Sequence, residues 1–211
     1  MPRPERHPVD GILDVTRDLV LRDGARGVTV DRIVAASGAP KGSVYYRFST
    51  VDDLLATMWL RAVRRSQERF LTPLSAGGDP IEAAVAAGLA VHDFAWQEPA
   101  DARLLAAVRR EDLVGEVTDP ALAVALREVN NPLRAALTAL ARRIYGRATQ
   151  DAVERTTCAV VDLPQGAIRR HLVAGVVVPS GVRSQLIAAI RAALCDRTFP
   201  PTGTRKECPD D

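Results

Sequence analysis

Apolar residues recur every three and four positions along almost the whole chain, and the valine run Val176 to Val178 is the only strand-like stretch. Side chains three and four apart share one face of a helix but fall on both faces of a strand, so the pattern predicts an all-α fold. No internal repeat is visible at the spacing of roughly 20 to 50 residues that stacked repeat proteins show. The 211 residues, 47% of them hydrophobic, are enough for one or two domains with cores of their own. No apolar run reaches the roughly 18 residues of a membrane span. The opening Met-Pro-Arg-Pro-Glu-Arg-His-Pro leads into no apolar signal core, so a cytoplasmic protein is expected.

Helix-starting and helix-stopping residues divide the pattern. A first helix is expected over 9–23, with Ile12, Leu13, Thr16, Leu19 and Val20 on one face and Gly24 ending it in the left-handed conformation. Thr29 caps a short second helix that turns Val30, Ile33 and Val34 inward and stops at Ser37-Gly38. Pro40 opens a third, to about Phe48. Ser49 and Thr50 each have an aspartate three residues on, Asp52 and Asp53, and these capping-box candidates start a long fourth helix to about Phe70. Residues 72–79, with Pro73, Gly77 and Gly78, read as a linker. Asp79-Pro80-Ile81-Glu82 then supplies an N-cap, an N1 proline and an N3 carboxylate for a helix to Glu98. Further helices fit 101–111, 120–145, 149–172 and 180–195. Asn130-Asn131-Pro132 should kink the 120–145 helix, and Pro164 with Gly166 should bend the one over 149–172. The polar, proline-containing tail after Thr198 is expected to be mobile.

Residue chemistry narrows the function. Cys158, Cys195 and Cys208 are odd in number and widely spaced, which argues against a disulfide framework or a zinc site, and they read as reduced thiols. His7, His92 and His171 have no partner at metal-ligand spacing, so no metal and no cofactor are expected. No nucleophile and base stand together; Asp93 projects about 100° from His92 around a helix, and no catalysis is expected. Charge carries more. Residues 1–50 hold eight Arg or Lys against six Asp or Glu, whereas the remaining 161 hold twenty of each. The excess is too small for charge-driven binding to nucleic acid, which would have to rest on geometry at a few positions.

That geometry is visible between Thr29 and Phe48, where two short helices joined by a tight turn have helix-turn-helix spacing. Val44 and Phe48, four apart, face inward and leave Lys41, Gly42, Ser43, Tyr45, Tyr46 and Arg47 outside. Three of the nine aromatic residues of the chain fall between Tyr45 and Phe48, and Gly42 gives up about 1 kcal/mol of helix propensity while allowing close backbone approach. Both features suit a helix laid in a groove, although helix-turn-helix look-alikes are common in helical proteins.

The run Gly-Ala-Pro-Lys-Gly-Ser-Val-Tyr-Tyr-Arg-Phe-Ser-Thr-Val-Asp-Asp-Leu-Leu, from Gly38 to Leu55, resembles the DNA-binding signature of the tetracycline-repressor (TetR) family of bacterial transcription regulators. Ile12 to Gly24 and the step from Thr29 to Ile33 resemble it too. The resemblance implies a DNA-binding domain over 1–50 and a helical ligand-binding and dimerisation domain over 51–211. It further implies a homodimer built on the last two long helices, and a repressor released from double-stranded operator DNA by a small-molecule effector. Thr29 and Tyr46 would then bond phosphates, Lys41 a phosphate or base edge, and Gly42, Ser43 and Tyr45 would approach bases. Arg32 and Arg47 are added on charge and position. Two departures stand out: Pro40 where the family usually has a capping Ser or Thr, and Val51 where it often has Lys. A helical ligand-binding or scaffold protein with a degenerate head is the alternative.

In the body, Ile81, Val85, Gly88, Leu89, His92 and Trp96 line one side of a helix. His92 on that apolar face could orient a ligand or be an ordinary core histidine. Asn130 could bond a ligand or a carbonyl freed by Pro132, and Trp59, Phe94 and Tyr145 could be pocket walls or core. The candidate effector site is therefore Trp59, His92, Trp96, Asn130 and Tyr145, with coupling to DNA through the fourth helix. The candidate dimer interface is Val160, Pro164, Ile168, Leu186 and Ile190, from the apolar stripes of the two C-terminal helices.

Overall fold

The computed structural model describes residues 9–113 and 115–195, and all regular structure among them is helical. The described residues form two compact units. The first joins residues 9–65 to 98–129; the second joins 66–97 to 130–195. The first unit therefore takes in more chain than residues 1–50. None of the helices among the described residues is long and apolar enough to cross a membrane.

Four helices lead the first unit: α1 (Val9–Asp23), α2 (Val30–Ser37), α3 (Lys41–Arg47) and α4 (Val51–Ser75). Gly24 and Gly38 follow α1 and α2 at φ of 76° and 69°, where a side chain would be strained; Gly38 is left-handed, whereas Gly24 has an extended ψ of 167°, and their N–H groups close the last turns on Val20 O and Val34 O. Thr29 caps α2, its Oγ1 accepting from Arg32 N. The apolar faces meet as read from sequence: Ile12, Leu13, Leu19 and Val20 of α1, Ile33 of α2, Val44 and Phe48 at α3, and Leu54 and Met58 of α4 form one core. Truncating a fully buried residue of this kind, such as Ile33, costs about 2 to 5 kcal/mol. The unit is completed by α6 (Pro99–Ala107), α7 (Arg110–Leu113) and α8 (Pro120–Glu128), and Leu104 reaches into the same core.

Charged contacts fix α6 to α1 and α4. Asp101 is 1% exposed and accepts from Arg17 Nη1 at 2.7 Å and Arg65 Nη1 at 3.1 Å. The start of α4 is held by half a capping box: Thr50 Oγ1 accepts from Asp53 N, but the Asp53 carboxylate turns to Thr118 and Asp119.

The second unit contains α5 (Pro80–Gln97), α9 (Asn131–Tyr145), α10 (Gln150–Thr157), α11 (Leu163–Ala174) and α12 (Gly181–Cys195), together with the end of α4. Asp79 caps α5 by accepting from Ile81 N, while Glu82 accepts from Arg191 of α12 rather than closing a box. Gly88 lets α5 lie close to Ile190 of α12 and Pro164 of α11. A Cβ there would lie 2.4 Å from Ile190 Cδ1 and 3.3 Å from Pro164 Cγ.

Several helix boundaries differ from expectation, each for a local reason. Helix α4 runs through Pro73 to Ser75, because a proline in the last turn forfeits one backbone bond, and Thr72 and Ser75 hydroxyls donate to Glu68 O and Leu71 O there. The segment expected over 101–111 starts at Pro99 and breaks at Val108, whose φ of −119° is extended. Instead of kinking one helix over 120–145, Pro132 starts a second: Asn130 is its N-cap, and a proline in the first turn lacks only an N–H that would have no helical partner. The segment over 149–172 is interrupted by a π-helical turn at Cys158–Asp162, closed by Leu163 N on Cys158 O. The wider turn precedes Pro164 and spares it a normal backbone bond. Cys158 is an exposed free thiol but Cys195 is disulfide-bonded, which corrects the reading of three reduced thiols; spacing rules detect a framework of bridges and miss a single one. The tail after Thr198 lies outside the described residues.

Candidate nucleic-acid interface

Helix α3 is short, and its sequence divides cleanly between inside and outside. Val44 is 1% and Phe48 7% exposed, while Tyr46 is 92% and Tyr45 53% exposed. Exposing two tyrosines on one turn of helix leaves apolar area in water that contributes nothing to the fold. Lys41 and Gly42 are exposed beside them, and Ser43 is half-buried. A Cβ at Gly42 would meet nothing within 4 Å, so glycine is not required by packing. Pro40 caps α3 without a side-chain bond, and its carbonyl accepts from Ser43 N and Val44 N. Val51 packs partly buried against the core of the first unit, so an apolar residue serves the fold at that position.

The cations here are already engaged. Lys41 Nζ donates to Asp31 Oδ1 at 2.7 Å, and this hydrogen bond, with the attraction behind it, raises the ammonium above the ordinary lysine value. Arg32 folds back along the chain: its guanidinium donates to Gly27 O and to the Asp23 carboxylate, clamping the turn before α2. That contact gives Arg32 a structural duty. Arg47 Nη1 donates to Ser43 O one turn back at 3.3 Å. Thr29 is exposed, and its hydroxyl oxygen is committed to the α2 cap. Sequence reasoning missed Asp31. The signal was there in principle, since residues ten apart across a helix-turn-helix can face each other.

The sequence profile described as "Bacterial regulatory proteins, tetR family" matches residues 12–58, the span of α1 to the first part of α4. Residues 12–58 thus match the DNA-binding segment of the TetR family. No curated protein matches it. Among solved structures, the fatty acid degradation regulator FadR from Bacillus halodurans is 14% identical, with a TM-score of 0.67 over 90% of this chain and 99% of that one. A TetR-like transcriptional regulator from Rhodococcus sp. RHA1 is 16% identical, with a TM-score of 0.64 over 93% and 100%. FadR from Bacillus subtilis in complex with stearoyl-CoA is 11% identical, with a TM-score of 0.67 over 89% and 98%. At these identities the likeness is one of fold. The match over 12–58 and the head formed by α1 to α3 support DNA-binding transcriptional regulation.

The body residues singled out from sequence fall in both units. Trp59 belongs to the first unit, and its Nε1 is buried without a hydrogen-bond partner. His92, Trp96, Asn130 and Tyr145 belong to the second. His92 is 4% exposed and its ring centroid lies 6.2 Å from that of Trp96, which is itself half exposed. Asp93 does reach His92, with Oδ1 3.1 Å from Nδ1, because both side chains bend along the helix surface despite the 100° step; Arg183 lies 3.6 Å from the same carboxylate oxygen. Nε2 of His92 is buried with no partner. Asn130 is exposed, and its Oδ1 accepts from Gln67. The Tyr145 hydroxyl donates to Leu194 O at 3.4 Å, and burial raises its pKa. Phe94 is core, 3% exposed, with the Arg69 guanidinium 5.7 Å from its ring centre.

The expected dimer residues need a correction. Val160 and Ile190 are 0% exposed, Leu186 3% and Ile168 4%, and Pro164 is buried as well. These side chains fill the core of their own unit, so they cannot also be surface for a second copy. The apolar stripes were read correctly as buried, and the error lay in what buries them.

Proposed function

We propose that this chain is a homodimeric TetR-family repressor that binds double-stranded operator DNA and is released from it by a small molecule. The observation that carries the reading is the outer face of α3, where Tyr46 and Tyr45 stand exposed beside Lys41 while Val44 and Phe48 anchor the helix from behind. Tyr46 and Lys41 serve as phosphate ligands, Gly42, Ser43 and Tyr45 approach base edges in the major groove, and Arg47 and Thr29 flank them. Fluorescence anisotropy with the DNA upstream of the protein's own gene tests this. Lys41→Ala should weaken binding and flatten the dependence of log K on log salt by about one unit per copy.

For the dimer, the outer faces of the two last helices fit better than the inner ones. Leu163, Gly166, Arg170 and Val173 share an exposed face of α11, and Gly181, Gln185, Ala188 and Ala192 share one on α12. Small residues there let a partner helix approach closely, and a four-helix interface made by two copies is the closed, two-fold solution. The effector site belongs to the second unit, at His92 and Trp96. The unpaired Nε2 of His92 supports it, since a buried polar atom is normally satisfied. The Bacillus subtilis FadR holds stearoyl-CoA, and a mostly apolar effector is our reading for this chain also. Among the described residues α4 alone contributes to both units, and it starts three residues after α3 ends, which makes it the candidate for coupling. A thermal-shift screen that includes stearoyl-CoA, followed by titration of each hit against the protein–DNA complex, tests the switch. Release should correspond to a 5- to 150-fold loss of affinity, or about 1 to 3 kcal/mol.

A further inference from the structure

The Lys41–Asp31 pair gives Asp31 of α2 a part in DNA binding that the sequence did not suggest. Asp31 lies in the first turn of α2, two residues from Thr29, and its side chain is 78% exposed; Lys41 opens α3 and is 54% exposed. Neither residue packs into the core, so the fold does not need the contact. Lys41 and Arg47 are the only basic residues of α3, and Lys41 is the one at its leading end. The Asp31 carboxylate offers that ammonium what a DNA phosphate would offer: an oxygen anion at 2.7 Å.

From this arrangement we infer that Asp31 is a built-in competitor for phosphate that sets the DNA affinity of the head by occupying Lys41. Binding to any duplex through Lys41 must break the pair or tolerate a carboxylate beside the phosphate backbone. The penalty applies to every sequence alike. Specific and non-specific complexes are therefore weakened by the same factor, and a complex that persists at a given concentration must gain from base contacts elsewhere on α3. The inference rests on the DNA-binding reading above and adds to it a residue that opposes binding.

The test is Asp31→Asn, which keeps the shape and a good residue for a first helical turn. Anisotropy titrations would use the upstream DNA and a 30-base-pair duplex of unrelated sequence at several salt concentrations, with thermal melts confirming that the variant folds as the parent does. Freeing Lys41 to displace one further counterion steepens the salt slope by about 0.9 per copy and tightens binding by up to about eightfold per copy at 0.1 M salt. We expect a three- to eightfold gain per copy, roughly ten- to sixtyfold for the dimer, on both duplexes in the parent background and twofold or less in a Lys41→Ala background. An equal gain in both backgrounds would show that the pair is irrelevant. No gain, or weaker binding, would overturn the inference by showing that Asp31 is neutral or itself reads DNA. Absence of binding by the parent at any salt would overturn the DNA-binding reading as well, which separates the two failures.

Discussion

Replacing Asp53 should loosen the first unit where the start of α4 meets the turn before α8. The carboxylate is 3% exposed and accepts from Thr118 N at 2.9 Å, Thr118 Oγ1 at 2.6 Å and Asp119 N at 3.3 Å. Burial alone would raise its pKa, but the donors from Thr118 and Asp119 outweigh burial and hold it below the ordinary aspartate value of 3.8. Hydrogen bonds to a charged group contribute about 1.5 to 3 kcal/mol each and do not add fully. Asp53→Ala strands two backbone N–H groups and a hydroxyl, so a loss of about 3 to 5 kcal/mol is expected. At 2 to 4 °C per kcal/mol for a chain of this size, Tm falls by roughly 6 to 20 °C. Asp53→Asn keeps the volume and one acceptor and should lose about half as much. Because the folded pKa is depressed, the contribution is complete above the unfolded pKa near 3.8 and is lost as pH falls below it. The parent should thus lose more stability than Asp53→Asn between about pH 4 and 2. Circular dichroism melts across that range, with hydrogen exchange at the Thr118 and Asp119 amides, provide the readout. An Asp53→Ala protein that melts within 1 °C of the parent, with those amides equally protected, would refute the reasoning.

Gly88→Ala should destabilise the second unit by about 1 to 3 kcal/mol in chemical denaturation, since the new Cβ would overlap Ile190 Cδ1 at 2.4 Å, and adding Ile190→Val should restore part of the loss. Leu186→Glu or Ile190→Glu should unfold the second unit, because both side chains are buried in it, whereas Ala188→Glu on the exposed face of α12 should give folded monomers by light scattering. Asp101→Ala, which leaves Arg17 and Arg65 without their shared buried acceptor, should cost about 3 kcal/mol by thermal melting.

What was legible in the sequence was what short-range physics decides. The positions of α1, α2 and α3 follow from apolar spacing, from glycines at 24 and 38 and from the Thr29 cap, and these helices appear as read; Gly38 takes the expected left-handed conformation, while Gly24 shares only its positive φ. The inward turn of Val44 and Phe48 and the outward turn of both tyrosines were equally plain, because a single helical turn fixes them. Long-range choices were hidden. Periodicity shows that Leu186 and Ile190 are buried but not whether their own chain or a second copy buries them. Asn131-Pro132 signals a break, yet both a kinked helix and a fresh start satisfy the local rules, and tertiary contacts select the second. The Asp53 contacts to Thr118 and Asp119 join residues about 65 positions apart and leave no local signature. The reach of Arg32 back to Asp23 and Gly27 was likewise hidden, since charge and position in the sequence suggested only a ligand for DNA.

The measurement closest to the central claim is the salt dependence of binding to the upstream DNA, for the parent and for the Lys41→Ala and Tyr46→Ala double variant. Two copies presenting Lys41 and Tyr46 with their flanking groups should bind with a log–log slope of several negative units, and the double variant should bind at least tenfold more weakly with a slope shallower by about one to two. Equal affinity and equal slope in parent and variant would remove α3 from the interface and contradict the account.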